Sequence, residues 1–337
     1  MLSLLLHNAH LYLPTSELLA KQSRLSPDVF NNCLSIPTTS AFERVWINGP
    51  SASHFSDDLC LLCTTLSQFV ISGKGKTKVA TKSDPLDLVT DVDRGIELLL
   101  RLWITTFFPT HKIIGEEGAK DSLSPEDFTW YIDPVDGTTN FVEGRNDVSV
   151  HIACIARGTP FWGFLGLPLK DTYYVFDGKK SWIKTANQTL FMPFSLKINN
   201  EAASLGTECM DSQVDEHHRL ATLSRTLSLT PLRTRSIGVT LSKFFTSELK
   251  LFYKDNVKLW DIMAPLTILF GAAPHLYQYD FWIPNARGKC FNLFSNDAIL
   301  YSHFNRSHAQ NDCHAGLCLV YPKIQHDSAD MILRSFL

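Results

Sequence analysis

Between Tyr131 and Phe141 the chain reads Tyr-Ile-Asp-Pro-Val-Asp-Gly-Thr-Thr-Asn-Phe, and no other run constrains the fold as much. An apolar β-type stretch ends in two carboxylates spaced i and i+3 across a proline. Pro134 has no backbone donor and restricts its neighbour, so the turn is stiff. Gly137 permits a tight turn into Thr138-Thr139-Asn140. The N–H groups of Gly137 and Thr138 are then free to hold an anion. Seventeen residues before Asp133, a second β-run, Ile113-Ile114-Gly115, delivers Glu116 and Glu117 at its mouth.

Hard divalent cations take carboxylate and carbonyl oxygens rather than thiolates. Three carboxylates from these two strand ends, with the Val135 carbonyl, make a Mg²⁺ site. A second ion needs further oxygen ligands. The candidates are Asp93, early in the helix after Val89-Thr90, and Asp261, in Trp260-Asp261-Ile262-Met263-Ala264-Pro265. Taken singly, a Glu-Glu at a strand end reads as solvated surface, Asp-x-x-Asp as a turn, and an Asp before a helix as a cap. Their occurrence as an ordered set turns the reading toward two cations clamping a phosphoryl group.

The rest of the chain supplies a frame of mixed type. Residues 1–75 read as mostly helical, with loops at 35–40 and 48–56, and Met1–Leu13 as a helix packed on the core rather than a targeting peptide. A polar connection over Thr77–Pro85 leads to a helix over Leu88–Phe108. Thr90 or Asp91 caps that helix, and Ile96, Leu99, Leu100, Trp103 and Ile104 form its apolar face. Short β-runs come next at Lys112–Ile114, Thr129–Ile132, Val148–Ala156, Phe161–Leu167, Tyr173–Phe176 and Ser181–Lys184, an antiparallel meander with a hairpin connection at Arg157–Pro160. Beyond it come a helix near Asp215–Thr226, a strand-helix unit near Arg235–Leu249, a helix after Trp260, and strands near His275–Trp282 and Asp297–Ser302.

Composition narrows the function. The 337 residues are 45% hydrophobic and 19% charged with a formal net charge of −3, which fits a folded soluble protein. This balance gives no basic surface for a nucleic-acid polymer, and no run is long and apolar enough for a membrane helix. The eight cysteines are scattered, which suits a reducing, cytoplasmic setting. Cys60 and Cys63 fall in an apolar helical stretch as two core thiols. His303, His308, Cys313, His314 and Cys318 match no standard zinc spacing.

Gly115-Glu116-Glu117, the run Asp133–Phe141 and Trp260–Pro265 resemble the signatures of the inositol monophosphatase superfamily, and Asp87–Asp93 its upstream helix-start motif. The resemblance covers about residues 75–302 and implies a layered α-β-α-β-α sandwich of the inositol monophosphatase and fructose-1,6-bisphosphatase type, an α/β (α+β) fold. It divides the chain into an N-terminal helical extension (1–75), a metal-binding half (76–200), a substrate-side half (201–302) and a C-terminal extension (303–337). It implies a Mg²⁺-dependent phosphate monoester hydrolase with two or three ions. Glu116, Asp133 and the Val135 carbonyl hold the first; Asp133, Asp136 and Asp261 hold the second. Asp93 and Thr138, with Glu116, form the catalytic group that positions and activates the attacking water, so no phospho-enzyme forms. Gly137 and Thr138 hold the phosphate, and lithium inhibition is a further family expectation. The ligand is a small phosphorylated metabolite and the protein a monomer or homodimer.

Within that superfamily the substrate signals divide. Asp136–Phe141 favours the inositol branch. Inositol enzymes, however, place a Glu seven residues before the late metal Asp, where this chain has Lys254, which cannot accept a hydrogen bond. Thr240–Phe245 resembles the nucleotidases' Ser-x-x-Lys-aromatic segment, Phe252-Tyr253-Lys254 their Tyr-Leu-Arg segment, and Phe164–Pro168 their Gly-x-Pro strand. Thr240, Lys243 and Lys254, with Asp261, are the expected substrate contacts. These favour a 3′(2′),5′-bisphosphate nucleotidase acting on 3′-phosphoadenosine 5′-phosphate. The alternatives are inositol-1-monophosphatase, fructose-1,6-bisphosphatase, and a catalytically silent anion-binding regulatory homologue.

Overall fold

Alternation along three consecutive strands sets the centre of the molecule. In β5 (Ser149–Ala156), β6 (Thr159–Leu167) and β7 (Thr172–Phe176), Ala153, Ile155, Leu165, Leu167, Tyr174 and Phe176 enter one core. Ile152, Cys154, Trp162, Phe164, Tyr173 and Val175 enter another. Successive side chains of a strand point to opposite faces, and here both faces are covered, which is why these runs are almost continuously apolar.

The computed structural model describes residues 39–81, 88–124, 126–185, 188–193, 201, 204–208, 214–254, 257–275, 277–282, 290–292, 294 and 317–322. The expected helix at Met1–Leu13, the strand at 297–302 and the histidines of the tail lie outside these residues. Among the described residues four layers are stacked on one another. The first holds α1 (Ser40–Asn48), α2 (Phe55–Gly73) and α3 (Asp91–Phe107). Beneath it lies a seven-stranded sheet ordered β3-β4-β5-β6-β7-β8-β9, with β3 (Lys112–Gly115), β4 (Phe128–Asp136), β8 (Ser181–Thr185) and β9 (Gln188–Pro193). Only β3 and β4 run parallel; the rest is the expected antiparallel meander. Helices α4 (Thr138–Val142), α5 (Val214–Leu227), α6 (Ile237–Ser242) and α7 (Leu259–Ala272) come later in the chain. Of these, α6 and α7 form the third layer, their apolar residues sharing a core with the sheet.

The fourth layer is a six-stranded sheet ordered β11-β10-β12-β15-β13-β14. Its strands are β10 (Ser204–Gly206), β11 (Thr230–Leu232), β12 (Leu249–Lys254), β13 (Tyr277–Trp282), β14 (Cys290–Asn292) and β15 (Leu317–Pro322). α5 connects β10 to β11 and packs against β11. Within the expected C-terminal extension only β15 is described, and it pairs with both β12 and β13, inside the sheet. The strand-helix unit near Arg235–Leu249 is reversed, since α6 precedes β12. The polar connection over 77–85 contains β1 (Val79–Thr81), which pairs with β2 (Leu88–Thr90).

That hairpin shortens the helix expected from Leu88. Thr90 is extended and accepts a hydrogen bond from Val92 N at 3.2 Å, while Asp93 Oδ2 accepts from Thr90 N at 3.0 Å. This reciprocal cap starts α3 at Asp91. Ile96, Leu99, Leu100, Trp103 and Ile104 are buried as the periodicity predicts. Trp103 Nε1 donates to the Val45 carbonyl at 3.1 Å, tying α3 to α1. Thr90→Ala removes the cap and is expected to cost about 1–2 kcal/mol, measured as a lower urea midpoint; an unchanged midpoint would count against the cap.

The hairpin at Arg157-Gly158 has φ of 51° and 73°, both left-handed, the twist that a two-residue hairpin loop favours. Cys60 and Cys63 are buried free thiols in α2, and burial pushes Cys60 up to about 11. No helix among the described residues is long and apolar enough to cross a membrane.

Candidate active site

The parallel pair β3/β4 places two carboxylate-bearing strand ends side by side. Gly115 pairs with Ile132, and Glu116 N donates to the Ile132 carbonyl at 3.1 Å, so Glu116 and Asp133 leave neighbouring strands together. Their carboxyl groups adjoin, and Glu116 works to raise Asp133. Strand β4 continues through Pro134 to Asp136, with a register irregularity between Asp133 and Asp136 that turns both carboxylates out of the ladder. Asp133 Oδ1 accepts from Val135 N at 3.1 Å, bracing the turn from within.

Gly137 then adopts φ 86° and ψ 37°, the left-handed region, and opens α4. A Cβ there would come 2.8 Å from the Asp147 carbonyl oxygen, so position 137 requires glycine. The turn aims Thr138 back at α3. Its hydroxyl lies 3.2 Å from Asp93 Oδ1 and 2.9 Å from the Val135 carbonyl oxygen. Asp93, in the first turn of α3, is fully buried. Asn140 donates to the carbonyls of Asp147 at 2.7 Å and Thr234 at 2.8 Å, fastening α4 to the loop before α6.

Asp136 is heavily bonded. Its carboxylate accepts from Ser149 Oγ at 2.7 Å, Ser236 Oγ at 2.5 Å, Ile237 N at 3.1 Å and Gly238 N at 2.8 Å, and His151 Nε2 lies 3.4 Å away. It thereby caps α6. Burial works to raise this carboxyl, yet His151, Ser236 and Ser149 together hold it below the usual range. His151 Nδ1 faces the Trp260 carbonyl at 3.3 Å, so it carries the proton and donates. Asp261, one residue on, accepts from Lys258 N at 3.3 Å in the first turn of α7.

Four carboxyls thus come from three elements. Burial, with the charges of Glu116, Asp136 and Asp261, drives Asp133 well above the carboxylate range. Burial, with Glu116 and Asp136, raises Asp261 to about 7. Among the described residues no three His, Cys, Asp or Glu side chains are closed tightly enough to hold an ion as they stand. The donor set nonetheless fits a hard divalent cation, because it is all oxygen and its repulsion is what a cation relieves.

Of the expected substrate residues, the structure does not bring Lys243 into this group: its Nζ pairs with Glu248 at 2.9 Å. Thr240 is buried in α6 and donates to Glu208. Lys254 ends β12 and is only 9% exposed, which is rare for a lysine. Lys120 Nζ lies 4.7 Å from the Trp260 ring centroid and Lys258 Nζ 5.9 Å, placing two cations against that ring.

Sequence reasoning missed Ser149, His151, Ser236 and Glu208. Glu208 is buried and accepts from Thr234 N at 3.0 Å and Arg235 N at 2.8 Å, shaping the turn into α6; burial raises its carboxyl. The one available signal was a histidine and a serine in the otherwise apolar run of β5.

A family model described as the inositol monophosphatase family matches residues 60–279. Inositol monophosphatase 1 of Bos taurus is 30% identical over 239 residues, 68% of this chain and 82% of that one. Inositol-1-monophosphatase of Bacillus subtilis (strain 168) is 35% identical over 126 residues, 37% of this chain and 46% of that one, so the match spans less than half of that relative. A solved structure described as an IMPase/NADP phosphatase complexed with Mg²⁺ and phosphate superposes with a TM-score of 0.63 at 17% identity, covering 84% of this chain and 94% of that one, a likeness of fold. With a family model across more than half its length and a relative matched along most of its own, the chain belongs to the inositol monophosphatase family, a family of phosphatases.

Proposed function

We propose that this phosphatase is Mg²⁺-dependent and releases phosphate from a small soluble phosphate monoester at the cluster of Glu116, Asp133, Asp136 and Asp261. The observation that carries the reading is the electrostatic strain of that cluster, which raises Asp133 and Asp261 together. Glu116, Asp133, Asp136, Asp261 and the Val135 carbonyl would hold the metal. When bound, Mg²⁺ neutralises charge on phosphoryl oxygens and lowers the pKa of water.

The chain's own groups supply position and proton handling. Thr138 donates its hydroxyl proton to Asp93, which leaves its lone pairs to accept a hydrogen bond from the attacking water. Asp93, buried behind it, is the group toward which that water's proton moves. The N–H groups at the start of α4 would hold the phosphate, and the left-handed Gly137 sets the turn that leads into them. Water is the nucleophile, so no phospho-enzyme accumulates.

For the substrate we favour 3′-phosphoadenosine 5′-phosphate, hence a 3′(2′),5′-bisphosphate nucleotidase. Lys254, buried at the end of β12, and Lys120 and Lys258, against the Trp260 ring, support a substrate with a second anionic group. The matched Bos taurus and Bacillus relatives favour inositol 1-phosphate as the second reading. Phosphate release with Mg²⁺ from 3′-phosphoadenosine 5′-phosphate, inositol 1-phosphate and fructose 1,6-bisphosphate decides between them, and preference for inositol 1-phosphate overturns the nucleotide. Lys254→Glu is expected to lower kcat/KM for the bisphosphate by about 10–100-fold, the loss of one charged contact. It should leave inositol 1-phosphate turnover nearly unchanged; equal losses on both would remove Lys254 from substrate selection.

A further inference from the structure

Three acidic or basic side chains stand one turn apart along α3: Asp93, Glu97 and Arg101. Asp93 belongs to the site already described. Glu97 does not touch it, yet Glu97 is 1% exposed, a burial that a carboxylate tolerates only when it is fully bonded. Its bonds go to the loop after Glu116. Oε2 accepts from Glu117 N at 2.7 Å, and Oε1 accepts from Gly118 N at 2.7 Å and from Arg101 Nε at 2.6 Å.

The loop lies flat on this pair. A Cβ at Gly115 would come 2.3 Å from Glu97 Oε1 and 2.8 Å from Arg101 Nη2. A Cβ at Gly118 would come 2.5 Å from Arg101 Nε and 2.7 Å from Glu97 Oε1. The glycines on either side of Glu116-Glu117 are thus where backbone meets the two side chains. Ahead of the loop, Glu116 N is fixed to β4 through the Ile132 carbonyl. Behind it, the N–H groups of Glu117 and Gly118 are fixed to α3. Arg101 Nη2 is buried with no hydrogen-bond partner among the described residues, so the geometry favours the loop contact over a complete ion pair.

We propose that Glu97 is a positioning residue: its carboxylate clamps the loop after β3 and holds Glu116 facing Asp133 against the repulsion of the other carboxyls. The proposal rests on the reading of Glu116 as a metal ligand. One helix then carries both Asp93, which meets Thr138, and the clamp that sets Glu116. A ligand fixed by its neighbours binds metal more tightly than one that must be ordered on binding, typically by about 10–100-fold.

The test compares wild type, Glu97→Gln and Gly118→Ala. In Glu97→Gln an amide –NH₂ replaces one accepting oxygen and opposes a backbone N–H. Gly118→Ala presses on the same contact from a partly exposed loop. Mg²⁺ affinity is measured by calorimetry well below the melting temperature, with circular dichroism as the check of fold. The expected result is Mg²⁺ binding weakened about 10–100-fold in both folded variants, with lost phosphate release recovered as Mg²⁺ is raised. A merely structural role lowers the melting temperature and leaves Mg²⁺ affinity alone; that outcome overturns the proposal. If Glu97→Gln does not fold, Gly118→Ala decides by itself. Wild-type protein that takes up no Mg²⁺ overturns the metal reading instead.

Discussion

Asp133→Asn is expected to abolish phosphate release, lowering kcat by about 1,000-fold or more, on the order of 4 kcal/mol of barrier, without lowering the melting temperature of the metal-free protein. The two halves of this result share one cause. Asp133 feels the charges of Glu116, Asp136 and Asp261 together. It is the member assigned to both metal positions, and its loss breaks the link between them. In metal-free protein the same carboxyl is a liability, since burial and three like charges oppose its ionisation. An amide keeps the shape and the hydrogen bond with Val135 N while removing the charge. Phosphate release at wild-type rate would remove Asp133 from the metal site. A large drop in melting temperature would mean that its role is structural.

The second large effect is an inverted pH dependence of stability. Asp261 is raised to about 7 in the fold from an ordinary value of 3.8. Between these values the folded chain holds a proton that the unfolded chain has released, so stability falls as pH rises through that window. Asp133 and Glu208, both raised, act in the same direction. His111, held low by burial from an ordinary value of 6.5, acts against them just below that value. Asp136, held low, matters only in more acidic solution. Metal-free protein is therefore expected to be less stable at about pH 8 than at about pH 5, by an amount on the order of a few kcal/mol. Saturating Mg²⁺ favours the ionised carboxylates and should flatten or reverse that slope. Melting temperatures across this range, with EDTA and with Mg²⁺, measure it. A metal-free profile that rises with pH would mean that the carboxyls are not coupled in solution.

The legible part of the fold was local. The meander from β4 to β8 and the apolar face of α3 depend on periodicity within a single element, and both are found close to the expected positions. The carboxylates at the ends of β3 and β4 were legible because they occur as an ordered set with Asp93 and Asp261; taken singly, each reads as surface, turn or cap. The start of α3 was misplaced by three residues because Leu88-Val89 continues the apolar rhythm, and only the Thr90–Asp93 cap and the pairing with Val79–Thr81 interrupt it. The residues bracing the site were illegible for a different reason. His151 reaches the carbonyl of Trp260, and Asn140 that of Thr234. Such contacts join segments about a hundred positions apart, and no window along the chain contains both ends. Lys243 is the opposite case, since Glu248, five positions on, was in plain view as its partner.

The strand at 317–322 has a consequence for the order of assembly. From β4 to β9 the first sheet adds neighbours in the order in which a ribosome makes them. That half can take shape while synthesis continues. The second sheet cannot: β12 and β13 wait, with an empty place between them, for a strand some thirty-five residues further on. Closure of such long-range pairings is slow, and the waiting edges are sticky. The helix bearing Asp261 lies in the chain between those two waiting strands. Completion of the second sheet thus arrives last, after β15 is in place, and a nascent chain stopped short of it should be caught as a stable half beside an unfinished one.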